Sequence, residues 1–169
     1  MDDVVVLVEQ PVSHVDARQV VGLHAGSERP RHYHVLIPVE DASVRVEATI
    51  GTLATSEVLG TSSLYFGEED LDRIRREVVE SSRRAVADSV SAFRAAGASA
   101  DGEVAVEDPL DRLCALVAER GSREVVVLTR PHLVAELLHV DWTSKARKRL
   151  DVPCVHLLAH GDDEVPPEE

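Results

Sequence analysis

Polar residues follow four apolar runs of the sequence, and they are the residues best placed to carry chemistry. These segments are Glu9 to Pro11, Val39 to Asp41, Glu107 to Asp108, and Thr129 to His132. In open parallel sheets, ligands bind beyond the carboxyl ends of the strands where the strand order reverses; for a flavodoxin-like order 2-1-3-4-5 that point lies between the first strand and a later one. Carboxylates, hydroxyls and an imidazole gathered there can bind a polar ligand. Each segment taken alone is also compatible with an ordinary loop or helix cap.

Two further patterns suggest metal binding or catalysis but lack the necessary partners. His32 and His34 would point to the same face of a strand, as paired metal ligands can, yet no third ligand has a matching motif. There is no Gly-x-Ser-x-Gly elbow, and the adjacent Ser13 and His14 would not face each other on a helix. Cys114 has the spacing of a buried helical residue. We therefore expect neither a metal site nor an enzyme.

The elements that position these residues follow from the apolar pattern. Five apolar runs are predicted to be strands, at 4–8, 33–39, 102–106, 124–128 and 152–158. The first run is continuous rather than alternating, which is typical of a parallel strand that is covered on both faces. This strand is therefore predicted to lie in the centre of the sheet.

Helical patterns lie between the strands. A helix is predicted around 15–23, a long amphipathic helix over 70–96, and a basic helix over about 143–150. Asp108 and Pro109 are a typical N-cap and first-turn pair, so a helix is predicted from there to Arg120, ending at Gly121. Residues 42–67 fit either a helix or a strand, and we assign the first part to a helix.

The alternation of strands and helices predicts an α/β fold, namely a three-layer, doubly wound, five-stranded parallel sheet. A phosphoacceptor receiver domain shares this alternation. It would need an acidic cluster after the first strand and a lysine after the fifth, whereas this chain has Glu9 alone and His160. We expect one domain over residues 1–160, followed by an acidic, disordered tail over 161–169.

Charge and composition limit the partners of the chain. The net charge is −13, and the last nine residues hold five acids and no base. An acidic protein of this kind is poorly suited to non-specific nucleic-acid binding or to an anionic membrane surface. Two cysteines without CxxC spacing, and no signal-peptide or membrane-spanning pattern, predict a cytoplasmic location.

The second half of the chain carries a family resemblance. The pattern Val104-x-Val106-x-Asp108-Pro109, the helix after it and the run Arg123 to Leu128 are similar to the second half of universal stress proteins. Pro153, just before the last strand, also resembles that family. The resemblance covers all five strands in order. It implies a Rossmann-like sheet of the adenine-nucleotide alpha-hydrolase-like type, with strand order 3-2-1-4-5.

The same resemblance implies where a ligand would bind. In that family the fourth strand is followed by Gly-x2-Gly-x9-Gly-Ser/Thr, whose backbone and final hydroxyl hold the phosphates of ATP. Here this spacing is kept, but the glycines are replaced by Thr129, His132 and Trp142, and only the hydroxyl of Thr143 remains. The candidate ligand-binding residues are Glu9, Gln10, Val39, Thr129, Arg130, His132, Trp142, Thr143 and Ser144.

These replacements imply a changed function. The indole of Trp142 would occupy the place where the family brings backbone up to phosphate, so we expect a non-catalytic binding or regulatory domain with lost or altered ATP binding. Thr143, Arg130 and the basic helix could still hold a smaller anion. The first alternative is an ATP-binding member with a non-glycine phosphate loop. The second is an enzyme of the wider adenine-nucleotide hydrolase-like superfamily, although Glu9 to Ser13 supplies no glycine-rich loop.

The fifth strand predicts a partner. It is apolar, yet it would lie at an edge of the sheet, and exposed apolar edges tend to be covered. Universal stress proteins pair through this edge, so the resemblance implies a homodimer through the fifth strand. The tail or a helix of the same chain could cover the edge instead.

Overall fold

The computed structural model describes residues 2–39, 68–129 and 146–160. Its strands are β1 (Asp2–Val8), β2 (Arg31–Pro38), β3 (Ser99–Ala105), β4 (Glu124–Thr129) and β5 (Cys154–Leu158). Its helices are α1 (His14–Gly22), α2 (Glu68–Ala95) and α3 (Pro109–Arg120). Residues 146–149 are also helical. The predicted segment 42–67, the start of the basic helix at 143–145 and the tail at 161–169 lie outside the described residues.

The five strands form one parallel sheet in the order β3-β2-β1-β4-β5. The predicted class and the order 3-2-1-4-5 are confirmed, and the flavodoxin-like order is not the one adopted. The order reverses at β1, because the chain first builds outward through β2 and β3 and then returns to the other side of β1. The carboxyl ends of β1, β2 and β4 therefore surround the predicted ligand position.

The side chains of β1 show that helices cover both faces of the sheet, which gives the fold its three layers. Val4, Val6 and Val8 pack into one apolar core with residues of α1 and α2, whereas Val5 and Leu7 pack into a second core with α3. All five side chains are at most 2% exposed. The second core also includes Ala146 and Leu150. A continuous apolar run is thus required because both faces of the strand are covered.

The bounds of α3 follow from its caps. Oδ1 of Asp108 accepts hydrogen bonds from the backbone N–H groups of Leu110 and Asp111, at 2.9 and 3.0 Å. Gly121 ends the helix with a φ of 60°, a left-handed conformation that glycine adopts at little cost. The helix predicted from Asp108 to Arg120 is confirmed.

Each strand differs from its predicted bounds by one to three residues at one or both ends. β3 begins at Ser99 and ends at Ala105, so Val106 lies beyond it and is 72% exposed. The sequence Ser-Ala-Asp-Gly of β3 lacks the apolar run that marks a strand, and backbone pairing with β2 holds it in the sheet. β5 starts at Cys154, two residues later than predicted.

Cys114 is partly buried against the α3 core, as its helical spacing indicates. Within residues 2–39, 68–129 and 146–160, no helix combines the length and apolar character needed to cross a bilayer.

Candidate functional site

A cavity of about 330 Å³ lies at the carboxyl ends of β1 and β2. The segment after β1 contributes Glu9, Gln10 and Pro11, and the end of β2 contributes Ile37 and Pro38. The wall opposite is α2, with Val78, Ser81, Ser82, Arg84, Ala85 and Asp88. Two of the predicted ligand-binding residues, Glu9 and Gln10, are therefore brought together at a cavity on the predicted edge of the sheet.

The loop that carries Glu9 and Gln10 is anchored at its far end. The backbone N–H of Val12 donates to Oγ of Ser89, at 2.9 Å, and this hydroxyl donates to the carbonyl of Ala85, at 2.7 Å. Ser89 is fully buried. The next residue, Ser13, is the N-cap of α1. The loop is thus fastened to α2, the helix that forms the other wall of the cavity.

Val39 directly follows β2, but its backbone N–H is already used. It donates to the carbonyl of Ala105 at the end of β3, at 2.9 Å. Val39 is not among the residues that line the cavity. The structure therefore places Val39 at the predicted edge while directing its N–H to the sheet rather than to a ligand.

Thr129 is the last residue of β4 and lies next to the end of β1. The two strands are paired up to Val8 and Leu128, so Glu9 and Thr129 are the next residues of neighbouring strands. The side chain of Thr129 is buried, and Oγ1 lies 2.7 Å from Nε2 of His156. Burial lowers the pKa of His156, and the charge of Arg147 lowers it further. The imidazole is therefore neutral at neutral pH, and its Nε2 shares a hydrogen bond with the threonine hydroxyl. The carbonyl of Thr129 accepts from the N–H of Ala159, at 2.7 Å.

The remaining candidate residues, Arg130, His132, Trp142, Thr143 and Ser144, lie outside the described residues. The four that are described form two groups. Glu9 and Gln10 line the cavity, whereas Val39 and Thr129 make hydrogen bonds within the sheet.

Four polar residues of the cavity wall were missed from the sequence, namely Ser81, Ser82, Arg84 and Asp88 of α2. Ser82 follows the apolar spacing of the helix, which could have indicated a small polar group facing inward. A parallel sheet predicts that ligands meet strand ends, but not which helix side chains close the site.

A second polar contact ties the chain after β5 to α1. Oδ1 of the buried Asp16 accepts from the backbone N–H of His160 at 2.9 Å, and Nδ1 of the same histidine is 2.8 Å away. Oδ2 of Asp16 accepts from the hydroxyl of Ser13, at 2.8 Å. The carboxylate of Asp16 thus holds the chain after β5 to the start of α1. In a catalytic triad the imidazole, not the carboxylate, is the central group.

His32 and His34 share one face of β2, as predicted, and both contact Asp101 on β3. Nε2 of His32 is 3.0 Å from Oδ1 of Asp101, and Nδ1 of His34 also contacts this oxygen. Arg120 of α3 donates to Oδ2 of the same carboxylate, at 2.8 Å. In the described part of the chain, no three or more His, Cys, Asp or Glu side chains are arranged to hold a metal ion. The histidines instead join β2, β3 and α3.

No family model matches the chain, and no curated protein sequence matches it either. Solved structures do match. Over 94% of this chain and 97% of the other, it resembles hypothetical protein MJ0577, with a TM-score of 0.61 and 9% identity. It resembles a universal stress protein family protein from Arabidopsis thaliana with AMP bound, with a TM-score of 0.56 and 14% identity over 99% of this chain and 97% of the other. It also resembles the universal stress protein from Archaeoglobus fulgidus in complex with dAMP, with a TM-score of 0.53 and 12% identity over 92% and 97%.

These likenesses define the class of fold. The chain has the α/β fold found in universal stress proteins, with the five-stranded parallel sheet in the order that the sequence resemblance implies. The structural neighbours are universal stress proteins at low sequence identity.

Proposed function

We propose that this chain is a divergent member of the universal stress protein family, a non-catalytic binding or regulatory protein in which ATP binding is lost or altered. The fold supports the comparison with that family. The sequence supports the change, because the glycines of the phosphate loop are replaced while its spacing is kept.

The observation that carries the proposal is that two candidate ligand-binding groups already form hydrogen bonds within the protein. The N–H of Val39 donates to Ala105, and the hydroxyl of Thr129 pairs with His156. A nucleotide that needed either group would have to break an existing hydrogen bond, and a buried group left without its partner costs about 1–3 kcal/mol. Such a cost would weaken a nucleotide relative to a site that offers free glycine N–H groups.

The cavity beside Glu9 and Gln10 supports a small polar ligand. Its lining includes the carboxylates of Glu9 and Asp88, the guanidinium of Arg84, the hydroxyls of Ser81 and Ser82, and apolar contacts from Ile37 and Val78. Its volume of about 330 Å³ lies at the small end of the range typical of ligand pockets. We propose that a polar ligand smaller than ATP is held here, with groups that can pair with both carboxylates and a guanidinium.

A second candidate function is ATP binding through a non-glycine loop. Two of the similar structures are described with AMP bound and in complex with dAMP. Their likeness to this chain, together with the retained loop length and Thr143, favours this alternative.

We further propose a homodimer that forms through β5. β5 is an outer strand of the described sheet, and Leu158 on it is 47% exposed. An apolar outer strand favours pairing with a second strand. Two cysteines without CxxC spacing support a cytoplasmic location, and the acidic net charge supports a role without nucleic-acid or membrane partners.

A thermal-shift titration with ATP and AMP tests the proposal. A ligand at one hundred times its Kd stabilises a protein by about 2.7 kcal/mol, which raises the Tm by several degrees. We expect no resolved shift for the wild type at millimolar ATP. A robust, saturable rise in Tm would support the ATP-binding alternative and contradict the loss of binding, while leaving the fold unaffected. If a ligand does raise the Tm, a smaller rise in the variant E9Q would indicate that the ligand binds in the cavity beside Glu9.

A further inference from the structure

The amino ends of the strands, opposite the cavity just described, enclose a second cavity of about 390 Å³. It lies between the α1–β2 connection and the turn from α2 to β3. Its polar lining includes His24, Ser27, Arg29, Arg31 and Tyr33, and its apolar lining includes Val21, Ala25 and Ala98.

Arg31 is the main reason to regard this cavity as a site. Its Nε is buried and has no hydrogen-bond partner among the described residues. Its Nη1 lies 3.8 Å from Oε2 of Glu124, which is an ion pair too long for a hydrogen bond. Only 21% of the arginine side chain is exposed. A guanidinium has five N–H donors, and buried donors normally find acceptors. The Nε of Arg31 therefore lacks an acceptor among the described residues, and its Nη1 has only a long ion pair.

Arg29 adds a second cation to the rim of the cavity. Its Nη1 is 3.7 Å from Oδ1 of Asp2, and its side chain is 65% exposed. It is therefore free to turn toward a bound group at little cost. Two guanidinium groups thus line one cavity, and in the described part of the chain each has only a long ion pair to a carboxylate, at 3.7 and 3.8 Å.

The floor of the cavity is a fixed chain of hydrogen bonds. Nε2 of His24 lies 2.9 Å from Oε2 of Glu124, and Nδ1 lies 2.9 Å from the hydroxyl of Tyr33. Since a carboxylate only accepts, His24 donates from Nε2, and a neutral ring then accepts from the tyrosine at Nδ1. Glu124 is thus engaged mainly by His24, and Arg31 is left with its longer, weaker ion pair.

Tyr33 is held rigidly and stays protonated. Its ring stacks on Phe93 with centroids 5.0 Å apart. Burial raises the pKa of Tyr33, Arg31 opposes this effect, and Glu124 adds to it. The phenol is therefore neutral at neutral pH and forms part of the cavity wall.

We propose that this cavity binds a small organic oxyanion, with the carboxylate or phosphate oxygens on Arg31 and Arg29 and the apolar part against Val21, Ala25 and Ala98. Carboxylate and phosphate are the acceptors that match the planar fork of a guanidinium. The site is separate from the one at the carboxyl ends of the strands and does not depend on the function proposed there.

An NMR titration of the full-length protein at constant ionic strength tests this proposal, with inorganic phosphate and benzoate as the two probes. We expect saturable amide shifts centred on residues 24–31 and 97–99. A response to benzoate alone identifies a carboxylate ligand with an apolar body, and a response to phosphate identifies a phosphate group.

The variants separate a specific site from general charge. We expect R31Q to weaken binding by about tenfold or more, and R29Q by a few-fold, because charge-assisted hydrogen bonds are lost. R123Q is the matched control: Arg123 is 69% exposed, its Nε lies 3.9 Å from Asp2, and it does not line the cavity. The R123Q variant should bind each probe with the affinity of the wild type.

Two results would overturn the proposal. One is the absence of saturable shifts with both probes in the wild type, which would show that the cavity binds neither oxyanion. The other is equal weakening by R123Q and R29Q, which would reveal non-specific charge screening. If R31Q is less stable by thermal unfolding, R29Q decides, because Arg29 is exposed and its replacement leaves the core intact.

Discussion

Asp101 is the point at which β2, β3 and α3 are joined, and its replacement by asparagine should measurably destabilise the protein. The carboxylate contacts His32 and His34 of β2 and accepts from Arg120 of α3. Burial alone would raise its pKa. Hydrogen bonds from His34, His32 and Arg120 together outweigh burial and hold the pKa at about 2, below the ordinary 3.8.

This lowered pKa sets the expected magnitude. A difference of almost two pH units between the folded and unfolded chains corresponds to at most about 2.5 kcal/mol of stability at neutral pH. Because the Asp101 side chain is 45% exposed, solvent screens these contacts, and we expect about 1 kcal/mol instead.

The sign follows from the direction of the pKa change. The folded state holds the proton less tightly than the unfolded state, so the stabilisation is complete above the unfolded pKa. It is lost as the pH falls toward the folded value. Urea unfolding of the wild type and D101N should therefore differ by about 1 kcal/mol at pH 7 and by about half as much near pH 3.

E107Q is the matched control, because Glu107 is an exposed carboxylate just beyond β3. It should change the free energy of unfolding by less than about 0.5 kcal/mol. A D101N effect that is absent at neutral pH, or that grows as the solution is acidified, would refute this view of the histidine cluster.

Three further substitutions test how the fold positions the candidate site. S89A should lower the free energy of unfolding in urea by about 1–2 kcal/mol, because the N–H of Val12 loses its buried acceptor. Amides in the loop after β1 should then exchange their hydrogens faster, and unchanged exchange would contradict this anchoring. G102A should lower the free energy of unfolding by about 1–3 kcal/mol, since a Cβ there would lie 2.8 Å from both the Val35 carbonyl oxygen and Cγ1 of Val86. G26A is the control, because a Cβ at that position meets no atom within 4 Å. D108A should cost about 1 kcal/mol through loss of the α3 N-cap, and an effect no larger than that of E107Q would show that the cap is dispensable.

The sheet could be predicted because its physical causes are local. β1 is apolar on both faces, and Asp108, Pro109 and Gly121 mark the ends of α3. β3 was harder, because Ser99, Asp101 and Gly102 have low strand propensity and are held by pairing with β2.

The candidate site was predictable only in part. Strand ends located Glu9 and Gln10, since polar residues after a buried strand must emerge at the sheet edge. The contribution of α2 depends on how a long helix crosses that edge, and the pairings of Thr129 with His156 and of Val39 with Ala105 are tertiary contacts without a local pattern. The cavity at the amino ends of the strands likewise brings Arg29, Arg31 and His24 against the turn from α2 to β3, a tertiary arrangement without a local pattern.

Equilibrium dialysis with labelled ATP, on the wild type and on a variant with Thr129→Gly, His132→Gly and Trp142→Gly, tests most directly whether the replaced glycines have changed the function. We expect the wild type to retain no ATP at micromolar concentrations and the triple variant to gain binding. Circular dichroism should show both proteins folded. Stoichiometric, saturable retention of ATP by the wild type would contradict the proposed loss of nucleotide binding.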